Sequence, residues 1–313
     1  MTHAITYTEF GGPEVLTLSE IPDPVPGDGE LAVHVEAAGV NPIDAKLRSG
    51  RRPSGGIREP RRVGSDLAGV VTAVGPGVDG FRVGDAVAAF GVHGGYATDL
   101  VVKASLAHPR PPQVSPAEAA ALGIPVGTAY QTLRSLGVGP GGTLLIHGGS
   151  GAVGQAAIQF AVLWGATVIA TSSPRRFDRV RALGATPVAY GDGLVDRVRD
   201  LAPDGPTVII DAAGTDDALS ASLELLRDRS RIATLVRGRD AAELGIRAFS
   251  GGSPEPLTEQ QLSWRGEAIP VVLALLAAGA FSVELGPSFP LAEAAKAHEA
   301  VESGVDGKIV LIP

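Results

Sequence analysis

LLIHGGSGAVGQAAIQFAVLWGATVIATSS, residues 144–173, is the stretch on which the fold turns. The apolar run TLLIHGG (143–149) ends in glycine, and from Ala152 to Trp164 apolar residues recur at helical spacing. ATVIATS (166–172) is a second apolar run. Gly149, Gly151 and Gly154 thus form G-x-G-x-x-G between a strand and a helix. The first glycine is expected to make the sharp turn, the second to let a pyrophosphate approach the backbone, and the third to let helix and strand pack closely. The helix then opens with the amides of Ser150, Ala152 and Val153 facing the anion. That chemistry is dinucleotide binding.

The second strand ends at Ser172, about 20 residues beyond the glycines, where an NAD-binding site usually presents Asp or Glu to the ribose hydroxyls. This chain has TSSPRR instead. Ser172 and Ser173 are neutral, and Arg175 or Arg176 can pair with a 2′-phosphate that a carboxylate would repel. NADPH is the expected cofactor. The alternative is that the two arginines only decorate the exposed first turn of a helix.

Outward from this unit the alternation continues. Helices are expected at 174–183, 194–201 and 216–226, with apolar strands at PVAYG (187–191), TVIIDAAG (207–214) and RIATLV (231–236). Strands apolar throughout and alternating with helices indicate a parallel sheet covered on both faces, an α/β fold. Before it, LAVHVEAAGV (31–40), DLAGVVTAVG (66–75) and YATDLVV (96–102) read as strands of a β-rich, barrel-like half. Ser115, Pro116 and Glu118 open a helix by capping and mark the boundary. After the sheet, GGSPEPLTEQQLSW (251–264) reads as a loop that resists assignment. A helix at 267–278, a strand at 286–290, a helix at 292–304 and a strand at 308–313 follow.

At ~150 residues per domain, 313 residues suggest two domains. Gly (42) and Pro (24) imply many tight turns. The chain has no Cys, which removes disulfides, iron–sulfur clusters and zinc–thiolate sites. A net charge of −8 disfavours a general nucleic-acid or anionic-membrane surface. MTHAITYTEFGG lacks a basic start before an apolar stretch, and the run 269–281 is too short to span a bilayer, so a cytoplasmic protein is expected.

Several motifs in a fixed order resemble one family: YTEFGGPEVLTLSEIPDPVPGDGELAVHVEAAGVNPIDAKLRSG, then VGSDLAGVVTAVGPGVDGFRVGDAV, GGYATDLVV, the glycine segment, and FPLAEAAKAHEAVESGVDGKIVLIP. Together they resemble the zinc-independent quinone oxidoreductases of the medium-chain dehydrogenase/reductase superfamily, over nearly the whole chain. The resemblance implies a split GroES-like catalytic domain, residues 1–119 and 265–313. It also implies a Rossmann NADP-binding domain, a doubly wound parallel sheet, at 120–264, with the active site in the cleft. Homodimers or homotetramers are implied too. Zinc-dependent relatives carry Cys and His ligands where this chain has Asn41 and Ser65. Amide and hydroxyl groups do not replace thiolate and imidazole, so no catalytic metal is expected. A hydride acceptor that spreads charge onto its own oxygen, a quinone or an α,β-unsaturated carbonyl, suits such a site.

The resemblance also marks single residues. Asn41 is extended before Pro42, and its amide can donate to a substrate oxygen, hold the nicotinamide ribose, or simply stabilise a turn. Asp44, with Lys46 two residues on, is expected to act behind Asn41, and the two can simply form an ion pair that orients the loop. Ser65 and Asp66 either line the cleft or bond the NPID loop. His93, in a Gly-flanked loop, is a candidate proton donor or a plain surface residue. Thr128 lies where relatives contact the nicotinamide amide, and Tyr130 beside it can equally be core. Tyr190 matches a position near the adenosine phosphate, Gly214 fits backbone contact with the cofactor, and Lys308 can reach the cleft. His147 and His298 read as structural. Six arginines (Arg48, Arg51, Arg52, Arg58, Arg61, Arg62) make either a solvated basic loop or a grip for an anionic substrate. Reduction of an enoyl thioester or of one pathway-specific enone, and cofactor binding without turnover, stay open as alternatives.

Overall fold

A computed structural model describes every residue except Pro53, Ser250, Gly251, Gly252 and Pro254. The chain divides into two compact units, Met1–Ile124 with Ile269–Pro313, and Pro125–Ala268.

The first unit holds β1 (Thr2–Tyr7), β2 (Thr17–Ile21), β3 (Glu30–Gly39), α1 (Pro42–Arg48), β4 (Arg61–Arg62), β5 (Asp66–Val74), β6 (Ala86–Phe90), β7 (Asp99–Lys103), β8 (Ala107–Pro109) and α2 (Pro116–Ala120). Among the described residues, β2-β1-β4 form one sheet, and β3, β5, β6, β7 and β8 join two C-terminal strands in a seven-stranded one. α2 starts as the capping residues predict: Ser115 Oγ accepts from the Glu118 amide, and Glu118 accepts from Ser115 N. Leu31, Val33, Leu67, Tyr96, Ile309 and Leu311 fill the core of this β-rich, GroES-like unit.

α3 (Gly123–Ser135) leads into the second unit, which runs through β9 (Thr143–His147), α4 (Ala152–Leu163), β10 (Thr167–Ser172), α5 (Phe177–Ala182), β11 (Thr186–Ala189), α6 (Leu194–Leu201), β12 (Val208–Asp211), α7 (Asp216–Leu225), β13 (Ile232–Thr234), α8 (Ala241–Leu244) and β14 (Arg247–Ala248). Its strands are all parallel, in the order β11-β10-β9-β12-β13-β14. The winding reverses between β9 and β12, which is the switch point of a doubly wound, Rossmann-like sheet. Leu145, Ile169, Ile209 and Ile232, one from each central strand, pack in its core. α8 and β14 were not visible in the sequence pattern.

The chain closes with α9 (Glu259–Ala277), β15 (Leu285–Pro290), α10 (Ala294–Glu302) and β16 (Lys308–Ile312). α9 corrects the sequence reading. The segment 251–264, read as loop, is helical from Glu259, and one helix of 19 residues runs through Pro270. Its start is a reciprocal cap: Thr258 N donates to Gln261 Oε1 at 2.9 Å and Gln261 N to Thr258 Oγ1 at 3.3 Å. Of the remainder of that segment, Gly251, Gly252 and Pro254 lie outside the described residues. Among the described residues no helix is long and apolar enough to cross a membrane.

β16 decides where the first unit's polar residues meet. It pairs antiparallel with β3, Val310 opposite Gly39 and Leu311 opposite Ala38, and Val40 N donates to Ile309 O. Lys308 is thereby carried to the segment just after β3. In the β3–β5 ladder Gly39 faces Asp66, which brings the start of β5 to the same place.

His147 ends β9 opposite Asp211 and is 1% exposed, and neither ring nitrogen has a hydrogen-bond partner among the described residues. Burial pushes its pKa down to about 4, against the pull of Asp211. The unfolded chain takes up this proton near pH 6.5 and the folded chain only near 4, so stability falls as pH drops through that window, by about 2 kcal/mol at pH 5. His147→Leu keeps an apolar side chain there and removes the titration. Thermal melts of the variant should lose less between pH 8 and pH 5 than those of the parent chain, and an unchanged pH dependence would assign the effect to another group.

Candidate functional site

The glycine turn of the second unit is built from β9, β10 and the first turn of α4. Gly148 takes φ +79, the left-handed region, so the sharp turn belongs to Gly148 and not, as the motif suggests, to Gly149. Gly149 is needed for a different reason: a Cβ there would lie 2.6 Å from Ala170 Cβ. At Gly154 a Cβ would meet Gly148 O at 2.3 Å, which is the close helix–turn packing expected of the third glycine. Gly151 is the N-cap of α4, and a Cβ there finds only Gly148 O at 3.5 Å. Ser150, Ala152 and Val153 surround that cap, with Gly151 and Ala152 exposed. Thr171 fastens the turn from β10: its hydroxyl accepts from Gly148 N at 3.1 Å and its carbonyl from Gly149 N at 2.9 Å. Gln155 donates to Ser150 O at 2.8 Å and accepts from Arg179 Nε at 2.8 Å, a brace the sequence reading missed.

Ser172 ends β10 opposite Ala189 of β11, so Ser172, the following Pro174–Arg176 turn, and exposed Tyr190 share the carboxyl ends of two adjacent strands. No carboxylate follows Ser172 until Asp178. Gly214 lies three residues beyond the end of β12. Its N–H donates to Asp211 Oδ1 at 2.8 Å, and a Cβ on it would lie 2.5 Å from Val236 Cγ1, so its amide and its open face already serve the protein. Thr128 is buried in α3. Tyr130 packs edge-on against Phe160 and Trp164, and its hydroxyl donates to Glu267 at 2.5 Å, a core role.

In the first unit Asn41, Asp44, Asp66, Tyr96 and Lys308 form one buried polar cluster, each 0–6% exposed. Asn41 is the extended N-cap of α1 with Pro42 at the first helical position, and its N–H donates to Asp44 Oδ2 at 2.8 Å. Its side-chain Nδ2 donates to Asp66 Oδ2 at 2.8 Å, while its Oδ1 accepts from the Lys308 ammonium. Lys308 also donates to Val40 O at 2.6 Å, Tyr96 OH to Asp44 Oδ2 at 3.0 Å, and Ile124 N to Asp66 Oδ2 at 3.2 Å. Ser65 Oγ turns to Asp66 Oδ1 at 3.4 Å. Asp66 thus makes the bond to the NPID loop, through Asn41, and Ser65 bonds to Asp66. Burial pushes Asp44 up to about 7, opposed by the Asn41 N–H, and raises Asp66; burial also lowers Lys308 to about 8, against the pull of the two carboxylates. Tyr96 was not singled out in the sequence, since it sits 52 residues from its partner.

Two expected groups stay outside this cluster. His93 is exposed in its turn and makes none of these bonds. The arginine loop is largely spent on the protein itself. Arg48 is 1% exposed, with its guanidinium on His298 Nδ1 at 3.3 Å and on Glu302, and Arg51 reaches the same Glu302. Arg61 donates to Ser54, Gly55 and Gly56 carbonyls, and Arg62 to Gly94 O.

Residues 27–112 match the family model described as alcohol dehydrogenase GroES-like domain, and residues 152–266 the one described as zinc-binding dehydrogenase. The quinone oxidoreductase of Rattus norvegicus is 32% identical over 328 residues, 100% of this chain and 98% of that protein. The crystal structure of Escherichia coli quinone oxidoreductase complexed with NADPH matches with a TM-score of 0.84, 27% identity and full coverage of both chains. The phthioceranic/hydroxyphthioceranic acid synthase of Mycobacterium bovis is 34% identical over 312 residues, covering 91% of this chain but 14% of the synthase. A GroES-like unit and a doubly wound sheet with a glycine turn define a medium-chain dehydrogenase/reductase. The chain belongs to the quinone oxidoreductase-like family of that superfamily, a family of oxidoreductases.

Two groups implied by this family can be tested against the residues present. A dinucleotide fits: the turn is cleared of side chains at Gly149, Gly151 and Gly154, and the α4 cap is open. Zinc does not fit at Asn41 and Ser65. Both heads of the Asn41 amide are engaged, Ser65 turns to Asp66, and the cation among these carboxylates is Lys308. No cluster of three His, Cys, Asp or Glu suited to a metal occurs among the described residues.

The second and third glycines of the motif should respond differently to a methyl group. Gly154→Ala forces a backbone shift and should lower stability by about 1–3 kcal/mol, whereas Gly151→Ala makes an ordinary contact and should cost only the weaker N-cap, under about 1 kcal/mol. Thermal denaturation of both variants checks this, and an equal loss would refute the packing described.

Proposed function

We propose that the chain is an NADPH-dependent reductase that passes hydride, without a metal ion, to a quinone or an α,β-unsaturated carbonyl compound. The observation that carries this reading is the side-chain-free turn before α4, followed at the end of β10 by Ser172, Ser173, Arg175 and Arg176 with no carboxylate. NADPH supplies the hydride when bound. Gly151 leaves room for its pyrophosphate, and the amides of Ser150, Ala152 and Val153 at the start of α4 donate to it. Ser172 receives the ribose, Arg175 and Arg176 pair with the 2′-phosphate, and Tyr190 flanks the adenosine end. In the first unit, Asn41 orients the reacting groups, held by Asp44, Asp66 and Lys308, with Ser65 behind Asp66. His93, exposed in its turn, is the proposed proton source. Charge that develops on a conjugated acceptor spreads onto its oxygen, so a site without zinc can serve it.

A second reading, reduction of an enoyl thioester, is favoured by the similarity to the mycobacterial synthase. A cytoplasmic setting, and the homodimer or homotetramer that the family resemblance implies, belong to the same proposal.

NADPH oxidation followed at 340 nm against quinones, enones and enoyl thioesters tests the proposal. Consumption with one class is expected, and tight NADPH binding with no consumption by any of them would overturn it in favour of a non-catalytic binder. Replacing both Arg175 and Arg176 by Ala should raise the KM for NADPH about tenfold, the loss of one charge-assisted bond, and leave the KM for NADH unchanged. Equal effects on both coenzymes would remove the arginines from the phosphate site.

A further inference from the structure

The sheet of the second unit reverses its winding between β9 and β12, so the glycine turn after β9 and the loops after β12 and β13 flank one crevice at the carboxyl ends of the strands. With the 2′-phosphate on the β10 side, the nicotinamide half falls to the β12–β13 side. The two loops there are held by one hydroxyl and one carboxylate.

Thr234, the last residue of β13, is fully buried. Its hydroxyl donates to Asp211 Oδ2 at 2.8 Å and accepts from Val236 N at 3.2 Å and Arg237 N at 2.9 Å. One donor and two lone pairs are all a hydroxyl has, and all are used. Asp211, the last residue of β12, is equally buried, and its Oδ1 accepts from Ala213 N at 3.0 Å and Gly214 N at 2.8 Å. Two side chains thus pin four loop amides. The loops also touch directly, since Gly214 at φ +72 leaves its face to Val236. Apolar residues of similar volume would fill the same space without burying a carboxylate, whose desolvation is costly. The benefit of the arrangement is therefore sought in the shape of the loops.

We propose that Thr234 and Asp211 are positioning residues for the nicotinamide half of the coenzyme, fixing the loops 212–215 and 235–237 in the arrangement that receives it. This rests on the reading that NADPH lies across the β9–β12 crevice. Thr234→Val removes the hydroxyl at constant volume, and Thr234→Ser retains it. NADPH and 2′-phospho-ADP-ribose, which lacks the nicotinamide, are titrated by calorimetry into the parent chain and both variants.

Thr234→Val should weaken NADPH by about fivefold or more, the loss of one or two net hydrogen bonds, and leave 2′-phospho-ADP-ribose within about twofold. Thr234→Ser should match the parent chain with both ligands. If Thr234→Val does not fold, Asp211→Asn is read the same way, because its N–H₂ must face either a Thr234 oxygen whose lone pairs are taken or the Ala213 and Gly214 N–H donors. Equal weakening of both ligands, or none of NADPH, overturns the positioning role and leaves the functional reading standing. A parent chain that binds neither ligand overturns both.

Discussion

A methyl group on Gly154 would sit 2.3 Å from the carbonyl oxygen of Gly148, and the close packing of α4 against the turn after β9 depends on that space staying empty. Because α4 can approach β9 this closely, its first amides arrive at the carboxyl edge of the sheet, unpaired within the helix and exposed at Gly151 and Ala152. Thr171, Gln155 and Arg179 then hold the turn from β10, α4 and α5. A tight turn with an open helix cap results from steric absence in the middle and hydrogen bonds around the rim.

The first unit solves a different problem, that of keeping charge inside a β-rich core. Two carboxylates, an ammonium, an amide and a phenol are buried together, which is tolerable because the donors and acceptors are matched. The position that would belong to a metal ligand in zinc-dependent relatives is an amide clasped at both heads. Apart from this cluster, buried Arg48 is paired with Glu302 and rests on a His298 whose pKa burial lowers to about 3. Tyr96 joins the two groups, with its ring edge-on to His298 and its hydroxyl on Asp44. The basic loop is thus mostly internal scaffolding, since four of its six arginines bond to this chain.

Some of this architecture could be read in the residues alone because it is local. The glycine motif, the Ser115–Glu118 cap and the run of apolar strands each lie within one or two elements, where spacing and sterics speak directly. The Thr258–Gln261 cap was equally local, yet the prolines before it masked the start of α9. Short elements such as β14, with two residues, offer too few positions for any period to register.

What the sequence by itself determined is the α/β class, the dinucleotide turn, the absence of a Cys-based zinc site and the family. These follow from residue type and short-range spacing. Tertiary structure alone decided the division of labour between two glycines: Gly148 takes the left-handed φ, and Gly149 makes room for Ala170. It also decided that Lys308 meets Asn41 across 267 residues, through the pairing of β16 with β3, and that Thr234 meets Asp211 through the register of β13 with β12. Such contacts are set by strand order and register, which depend on the burial of the whole sheet and leave no mark on the residues nearby.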